Sequence, residues 1–223
     1  MILSYLYDPD RIFEENVRKT GAQNFLAGPA KLDNREHAAV QLSRPLQSLG
    51  LSLADPAAQV FPSDADRASI QHFRANPHQT VALHPGSGSE TKNWPLENWI
   101  QLGDELLANG RELLIVAGEA DHERTEKLQA AWKNERVRFV ENIPLSQLAA
   151  LLEDLVFVGH DSGISHIAAA AGARCLLLFG WTDPTIWAPA NAAVTVIRAP
   201  EGKMSLLEVE TVSYALMRIG IRT

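Results

Sequence analysis

A glycine- and serine-rich loop with one lysine is the clearest chemical feature of this 223-residue sequence. The loop, residues 84–95, follows the apolar run 80–83 and contains Ser87, Gly88 and Lys92. Glycines let backbone N–H groups converge on an anion, and a flexible ammonium follows phosphate charge without demanding a fixed angle. The loop therefore predicts a phosphate site, and a solvated surface loop is the alternative interpretation.

A second polar group, Asp161, Ser162, Gly163 and His166, lies at the start of a helix predicted over 162–171. Ser162 and Gly163 would offer free N–H groups to a phosphate. Asp161 suits a helix cap or the hydroxyls of a sugar better, because its charge repels a phosphate. His166 is one turn further and could face the same cleft, although a capping aspartate with a core-edge histidine would give the same pattern.

Two glutamates follow the predicted strand 112–117. Glu119 comes just past its end, and Glu123 is one helical turn further along. In a doubly wound sheet an acidic residue at this position can accept hydrogen bonds from ribose hydroxyls. Either glutamate could instead favour the N-terminus of the helix predicted over 120–134. The sequence does not choose between the two residues or the two roles.

These candidate residues can form one site only if a sheet brings them to the same edge. The strands are apolar without alternation, which is typical of a parallel sheet covered on both faces, and they alternate with helices. This pattern predicts an α/β fold with a doubly wound, Rossmann-like sheet, whose ligands bind at the carboxyl ends of the strands. The predicted strands are 80–84, 112–117, 137–140, 155–159, 174–179 and 194–198, and the helices are 95–109, 120–134, 145–153, 162–171 and 205–218.

Residues 1–62 are predicted to form a partial N-terminal α/β domain with a linker, residues 63–204 the nucleotide-sugar-binding domain, and residues 205–223 a C-terminal helix. The first part is predicted to contain a strand over 1–7, a helix over 10–19, a short strand over 23–28 and a helix over 34–49. Pro45 is expected to divide that last helix.

Composition excludes several classes of protein. The net charge of −7 argues against nucleic-acid binding, and no apolar run approaches the roughly 20 residues of a membrane span. A start without a signal sequence, together with the single Cys175 in an apolar run, predicts a cytoplasmic protein. Scattered histidines predict no metal site. The glycine loop lacks the third glycine of the dinucleotide fingerprint, so no nicotinamide cofactor is expected.

Three stretches, 84–95, 160–169 and 179–184, resemble the C-terminal half of lipopolysaccharide heptosyltransferases, glycosyltransferase family 9. The resemblance implies a GT-B fold, two Rossmann-like domains with the donor held mainly by the second. It also implies an ADP-heptose-type donor, a lipid A–core oligosaccharide acceptor and no catalytic metal. An enzyme of this kind could associate peripherally with the inner face of the inner membrane.

The resemblance also implies roles for the candidate residues, all of them in donor binding. The diphosphate would lie on Ser87, Gly88 and Lys92, the ribose on Glu119 or Glu123, and the phosphates and donor sugar on Asp161, Ser162, Gly163 and His166. The loop 142–145 would border the base.

The family's catalytic base, the aspartate of an N-terminal Gly-Asp motif, has no equivalent in residues 1–30. The chain thus resembles a family member that lacks the first part of its N-terminal domain, and the catalytic residue is unassigned. Two alternatives stay open. One is a catalytically incomplete nucleotide-sugar-binding module, and the other is a different GT-B enzyme such as a UDP-sugar epimerase.

Overall fold

The computed structural model describes residues 1–73 and 76–221. The chain forms two compact units. The smaller contains Met1–Pro56 and Thr185–Trp187, and the larger contains Ala57–Pro184 and the chain from Ala188 onward.

The smaller unit is built on two short parallel strands, with Ile2 opposite Phe25. The strand predicted over 1–7 is shorter than expected, because its partner strand offers only three residues for pairing. The helix predicted over 34–49 is divided, as Pro45 indicated, into an α-helix and a 3₁₀ turn. The elements are β1 (Ile2–Ser4), α1 (Ile12–Lys19), β2 (Phe25–Ala27), α2 (Ala38–Ser43) and the 3₁₀ turn Arg44–Leu49.

The larger unit is a six-stranded sheet in which every neighbouring pair of strands is parallel. Along the chain its elements are α3 (Asp64–Ser69), β3 (Thr80–His84), α4 (Leu96–Ala108), β4 (Glu112–Ala117), α5 (His122–Ala131), β5 (Val137–Glu141), α6 (Leu145–Leu152), β6 (Val156–His160), α7 (Gly163–Ala170), β7 (Arg174–Phe179), β8 (Val194–Arg198) and α9 (Val209–Arg218), while α8 (Pro184–Trp187) lies between β7 and β8 in sequence and belongs from Thr185 to the smaller unit. The strand order is β5-β4-β3-β6-β7-β8. This is the order of a doubly wound, Rossmann-like fold, so the predicted fold class of this unit is confirmed.

Each face of the sheet has its own apolar core, which explains why the central strands lack alternation. Val81 and Leu83 of β3 pack toward α4, α5 and α9, and Ala82 between them packs toward α6 and α7. All three side chains are fully buried. Because both faces are covered, every position of the strand favours an apolar residue.

Strand order reverses direction between β3 and β6, which are neighbours in the sheet but are separated by two strands and three helices in sequence. The connections after these two strands leave on opposite faces, which opens a crevice at their carboxyl ends. The glycine loop follows β3 and the residues from Asp161 follow β6. The topology therefore places the two predicted phosphate-binding segments side by side.

Gly103 in the middle of α4 is set by a tertiary contact that the helical pattern did not indicate. A Cβ at this position would lie 2.2 Å from the Trp132 ring, and that ring is buried. Gly103→Ala gains about 1 kcal/mol of helix propensity, but overpacking costs about 1–3 kcal/mol. We expect a lower free energy of unfolding, measured by urea denaturation.

Gln101→Ala on the exposed side of α4 is the matched control, with a change expected within about 0.5 kcal/mol. A Gly103→Ala variant more stable than the wild type would show that the Trp132 ring can move away without cost.

Candidate functional site

The crevice beside the β3–β6 boundary contains a cleft of about 280 Å³. It brings together four of the predicted residues from segments some seventy positions apart, Ser87 and Gly88 on one side and Ser162 and Gly163 on the other. The full lining is His84, Ser87, Gly88, Gly118, Ala120, Asp121, Leu145, Ser162, Gly163, Ile164 and Ile167. A Cβ on Gly88 or Gly163 would meet no atom within 4 Å, so a ligand can approach both backbones closely.

His160, the last residue of β6, fixes the glycine loop to the sheet. The Trp94 backbone N–H donates to its Nε2 (2.8 Å), so Nδ1 carries the ring proton and donates to the Gly86 carbonyl oxygen (3.2 Å). The ring is fully buried and meets Trp99 edge to face, with 5.3 Å between ring centroids. One side chain thus holds the loop near both of its ends.

Lys92 and Asp161 form an ion pair, with 2.6 Å between Nζ and Oδ2. Both side chains are largely buried, at 25% and 10% exposure. The Lys92 ammonium also lies 5.8 Å from the centroid of the Trp181 ring, within cation–π range. Trp181 itself is 60% exposed. Lys92, which is predicted to bind phosphate, and Asp161, which is predicted to bind the sugar, therefore neutralise each other here.

The N-terminus of α7 is capped by Ser162, whose hydroxyl accepts from the Ser165 N–H at 3.4 Å. Asp161, the alternative cap, instead pairs with Lys92. With Ser165 satisfied by the cap, the N–H groups of Gly163 and Ile164 are the helix donors without an intrahelical acceptor. They border the cleft, where the helix dipole favours an anion.

The two glutamates lie in different surroundings. Glu119 lines a second cavity of about 260 Å³, which shares Gly118, Leu145 and Ile164 with the first. Its other lining residues are Val116, Ala117, Val140, Asn142, Ile143 and Leu148, so the loop 142–145 borders it. Glu123 lines neither cavity and pairs with Lys127 at the surface, 2.7 Å apart.

His166 is exposed on α7 and does not line either cavity. Its backbone N–H donates to the Ser162 carbonyl oxygen. The structure therefore leaves His166 outside the group formed by Ser87, Gly88, Ser162 and Gly163.

Asp121, which the sequence did not single out, forms part of the cleft wall. It is 7% exposed, and its Oδ2 accepts from the Gly118 N–H at 2.8 Å. A Cβ at Gly86 would lie 1.7 Å from its Oδ1, so only glycine allows this close approach. The available signal in the sequence was an aspartate three residues after Gly118, the glycine that follows β4.

A second ion pair borders the glycine loop. Arg124 of α5 contacts the carboxylate of Glu90, and Glu90 also accepts from the Asn93 side chain (3.2 Å). The Arg124 guanidinium is only 19% exposed, and its charge contributes to lowering the pKa of His160. The region around the cleft therefore contains cations that are already paired with carboxylates.

Within residues 1–73 and 76–221, no group of three or more His, Cys, Asp or Glu side chains is arranged to hold a metal ion. Over the same part of the chain, no helix has both the length and the apolar character needed to span a bilayer.

The buried His160 links stability to pH. Burial lowers its pKa from the ordinary 6.5 to about 3, while the Gly86 hydrogen bond opposes the shift. Below pH 6.5 the unfolded chain therefore binds a proton that the folded chain does not, and stability falls as pH falls toward 3. Between pH 6.5 and 5.0 this costs about 2 kcal/mol. His160→Gln can make both hydrogen bonds without titrating, so its urea-unfolding free energy should fall correspondingly less.

His78→Gln, at an exposed position, is the control and should keep the wild-type pH dependence. Parallel pH curves for His160→Gln and the wild type would show that the ring does not stay neutral in the folded chain.

The sequence model of glycosyltransferase family 9 (heptosyltransferase) matches residues 18–214. Lipopolysaccharide heptosyltransferase 1 of Escherichia coli O18:K1:H7 (strain RS218 / NMEC) is 28% identical over 204 residues, which cover 89% of this chain and 60% of that protein. Lipopolysaccharide heptosyltransferase 2 of E. coli K12 is 25% identical over 167 residues, covering 72% and 48%. The chain thus spans about half to three-fifths of the length of these relatives.

Solved structures agree in fold. E. coli ADP-heptose LPS heptosyltransferase II aligns with a TM-score of 0.75 at 19% identity, covering 97% of this chain and 74% of that one. E. coli heptosyltransferase WaaC with ADP aligns with a TM-score of 0.66 at 21% identity, covering 86% and 59%. The predicted GT-B-type fold class, with a Rossmann-like doubly wound parallel sheet, is thereby confirmed. Since the family match runs through most of its length, this chain belongs to glycosyltransferase family 9.

Proposed function

We propose that this chain binds a nucleoside diphosphate sugar of the ADP-heptose type in the cleft beside β3 and β6 and serves heptosyl transfer to a lipid A–core acceptor. One observation carries the proposal. Two glycine- and serine-bearing segments meet at the switch point of a doubly wound sheet, with Lys92 beside them. Backbone donors, a helix N-terminus and a lysine together form a phosphate site.

The diphosphate would lie between Gly88 and the first turn of α7. Lys92 would then leave Asp161 and bind a phosphate oxygen, because a diphosphate carries more negative charge than one carboxylate and forms equally strong charge-assisted hydrogen bonds. Asp161, released from Lys92, would accept hydrogen bonds from hydroxyls of the donor sugar. Ser87, whose hydroxyl now donates to the Ser89 carbonyl oxygen, could turn toward the same phosphate.

The nucleoside would occupy the second cavity, which joins the first through shared lining residues. Glu119 would accept from the ribose hydroxyls, and the apolar side chains of Ile143 and Leu148 would contact the base. Structures of E. coli heptosyltransferase WaaC with ADP and with ADP-2-deoxy-2-fluoro heptose show a structural relative with such ligands. That relative supports adenine as the base and heptose as the sugar.

Sugar transfer from this donor develops negative charge on the departing diphosphate. Lys92 and the α7 N-terminus would stabilise that charge in the transition state. The acceptor hydroxyl must lose a proton to a general base, and we assign no residue of this chain to that role. Peripheral association with the inner membrane also stays a prediction.

A second candidate function is a nucleotide-sugar-binding module without turnover. It is favoured because every residue assigned above binds the donor and none is assigned as the general base that transfer requires. Incubation with ADP-heptose and a lipid A–core acceptor separates the two candidates. ADP release that depends on the acceptor supports the transferase, and donor binding without release supports the module.

Lys92→Ala should weaken ADP binding about 10- to 100-fold, because it removes a charge-assisted hydrogen bond to phosphate worth about 1.5–3 kcal/mol. Isothermal titration calorimetry measures the change. The variant also frees Asp161, which adds repulsion of the phosphates and places the effect toward the upper end of this range.

Lys133→Ala is the matched control, since that lysine is exposed and lines neither cavity, and it should leave ADP affinity unchanged. Equal affinity of Lys92→Ala and the wild type for ADP would refute the phosphate role, and absence of ADP binding by the wild type at millimolar concentration would refute the proposed function.

Glu119→Gln and Glu123→Gln distinguish the two candidate ribose ligands. Glu119→Gln removes the negative charge and replaces one of the two acceptor oxygens by an amide donor, which costs about 1–2 kcal/mol at a ribose contact, so the variant should bind ADP about 5- to 30-fold more weakly. The same variant should bind 2′-deoxy-ADP and 3′-deoxy-ADP with a smaller relative loss for whichever analogue lacks the contacted hydroxyl. Glu123→Gln should match the wild type for all three ligands, and the reverse pattern would exchange the roles.

A further inference from the structure

Two buried histidines at the ends of β3 and β6 differ in how their rings are bonded. Both ring nitrogens of His160 are engaged, with the Trp94 N–H and the Gly86 carbonyl oxygen. Among contacts with residues 1–73 and 76–221, only Nδ1 of His84 is engaged, at 2.9 Å from the Val116 carbonyl oxygen, so Nδ1 carries the proton of the neutral ring. His84 lines the cleft, and Nε2 is its ring nitrogen that is not committed to the Val116 bond.

The charged side chains around the cleft carry no net positive charge. Lys92 is paired with Asp161 and Arg124 with Glu90. A further carboxylate, Asp121, is held by the Gly118 N–H rather than by a cation. Two cations therefore face three carboxylates in this group, which leaves one net negative charge.

A nucleoside diphosphate adds at least two negative charges to this surrounding. Repulsion at close range in a partly dehydrated cleft is costly, and uptake of a proton relieves it. Carboxylates protonate near pH 4 in water, whereas an imidazole protonates near pH 6.5. Among the groups that face the cleft, His84 is the one that can gain a proton at neutral pH without losing an existing hydrogen bond.

We propose that His84 takes up a proton when a nucleoside diphosphate binds and donates from Nε2 to a phosphate oxygen, while Asp121 stabilises the imidazolium. The proposal rests on the proposed function, because it requires a diphosphate in this cleft. It makes His84 a further ligand-binding residue and makes donor affinity depend on pH.

The free protein is set up for this exchange. Burial lowers the pKa of His84, and the Val116 hydrogen bond and the Asp121 charge offset this only in part. The ring is therefore neutral at pH 7 before a ligand binds. The negative charge of bound phosphates would raise the pKa of His84 from this lowered level. Protonation of His160 would instead break the bond from Trp94 N–H, since Nε2 is the acceptor there.

Calorimetry of ADP binding in HEPES and in Tris between pH 7.5 and 9.0 tests the linkage. The terminal phosphate of ADP is ionised throughout this range, since its pKa is about 6. The two buffers have different ionisation enthalpies, so proton uptake appears as a difference in observed binding enthalpy. We expect uptake of up to one proton, with affinity falling up to about tenfold per pH unit where uptake is complete.

His84→Asn removes the titrating group and keeps a side-chain N–H for the Val116 carbonyl oxygen. It should bind ADP more weakly, with proton uptake near zero and affinity independent of pH over this range. His78→Gln, an exposed histidine outside both cavities, should keep the wild-type uptake.

The outcomes separate the two proposals. A wild-type chain that does not bind ADP contradicts the proposed function. ADP binding without proton uptake, or with uptake that persists in folded His84→Asn, overturns the role of His84. Should that variant fail to fold, imidazole ¹⁵N NMR of the wild type decides the question. On addition of ADP the two unequal His84 nitrogen signals of a neutral ring should converge to those of an imidazolium, and an unchanged neutral pattern overturns the proposal.

Discussion

The pair of hydrogen bonds made by His160 is the constraint on which the rest of the site depends. A glycine- and serine-rich loop has high conformational entropy when unfolded, and a phosphate site needs its N–H groups held in place before the ligand arrives. The imidazole accepts from Trp94 and donates to Gly86, so it fixes both the entry and the exit of the loop. Its burial keeps the ring neutral, which the bond from the Trp94 N–H requires, because a protonated Nε2 could not accept it.

This brace continues into the core through Trp94. The indole is fully buried, and its Nε1 donates to the Leu207 carbonyl oxygen at 2.8 Å, just before α9 begins. Trp99 of α4 meets both Trp94 and His160 edge to face. The loop is therefore tied to β6, α4 and the start of α9, and displacing any one of these would move the cleft.

Features that depend on local sequence patterns could be predicted, whereas features that depend on contacts between distant residues could not. The six strands of the larger unit were placed within a residue or so from apolar runs alone, because burial on both faces imposes a local pattern. The pairing of the glycine loop with the segment after β6 followed from the rule that strand ends share an edge. The choice between Glu119 and Glu123 could not, since it depends on how the turn after β4 directs each side chain.

Contacts between distant segments were the least visible. Nothing in the spacing of His160 indicates that it binds a loop some seventy residues earlier, and its ring read as one of several scattered histidines. Gly86 and Asp121 are likewise explained only by each other, through a carboxylate that occupies the space of a missing Cβ. The helix predicted from 205 begins at Val209 because Leu207 and Glu208 are extended, and the Leu207 carbonyl oxygen in this stretch accepts from Trp94.

The site thus combines a fixed framework with adjustable charges. His160 and Trp94 are fully buried and hydrogen-bonded within the domain, so they set where the backbone donors lie. Lys92 and Asp161 neutralise each other at the rim, and a phosphate can compete with such a pair at little cost because both partners gain new hydrogen bonds. Rigid donors supply geometry, and an exchangeable ion pair avoids leaving a buried, unpaired charge when the cleft is empty. Asp121 would act in the same way toward His84. Its carboxylate, held by the Gly118 N–H, would stabilise an imidazolium that forms only when phosphate binds.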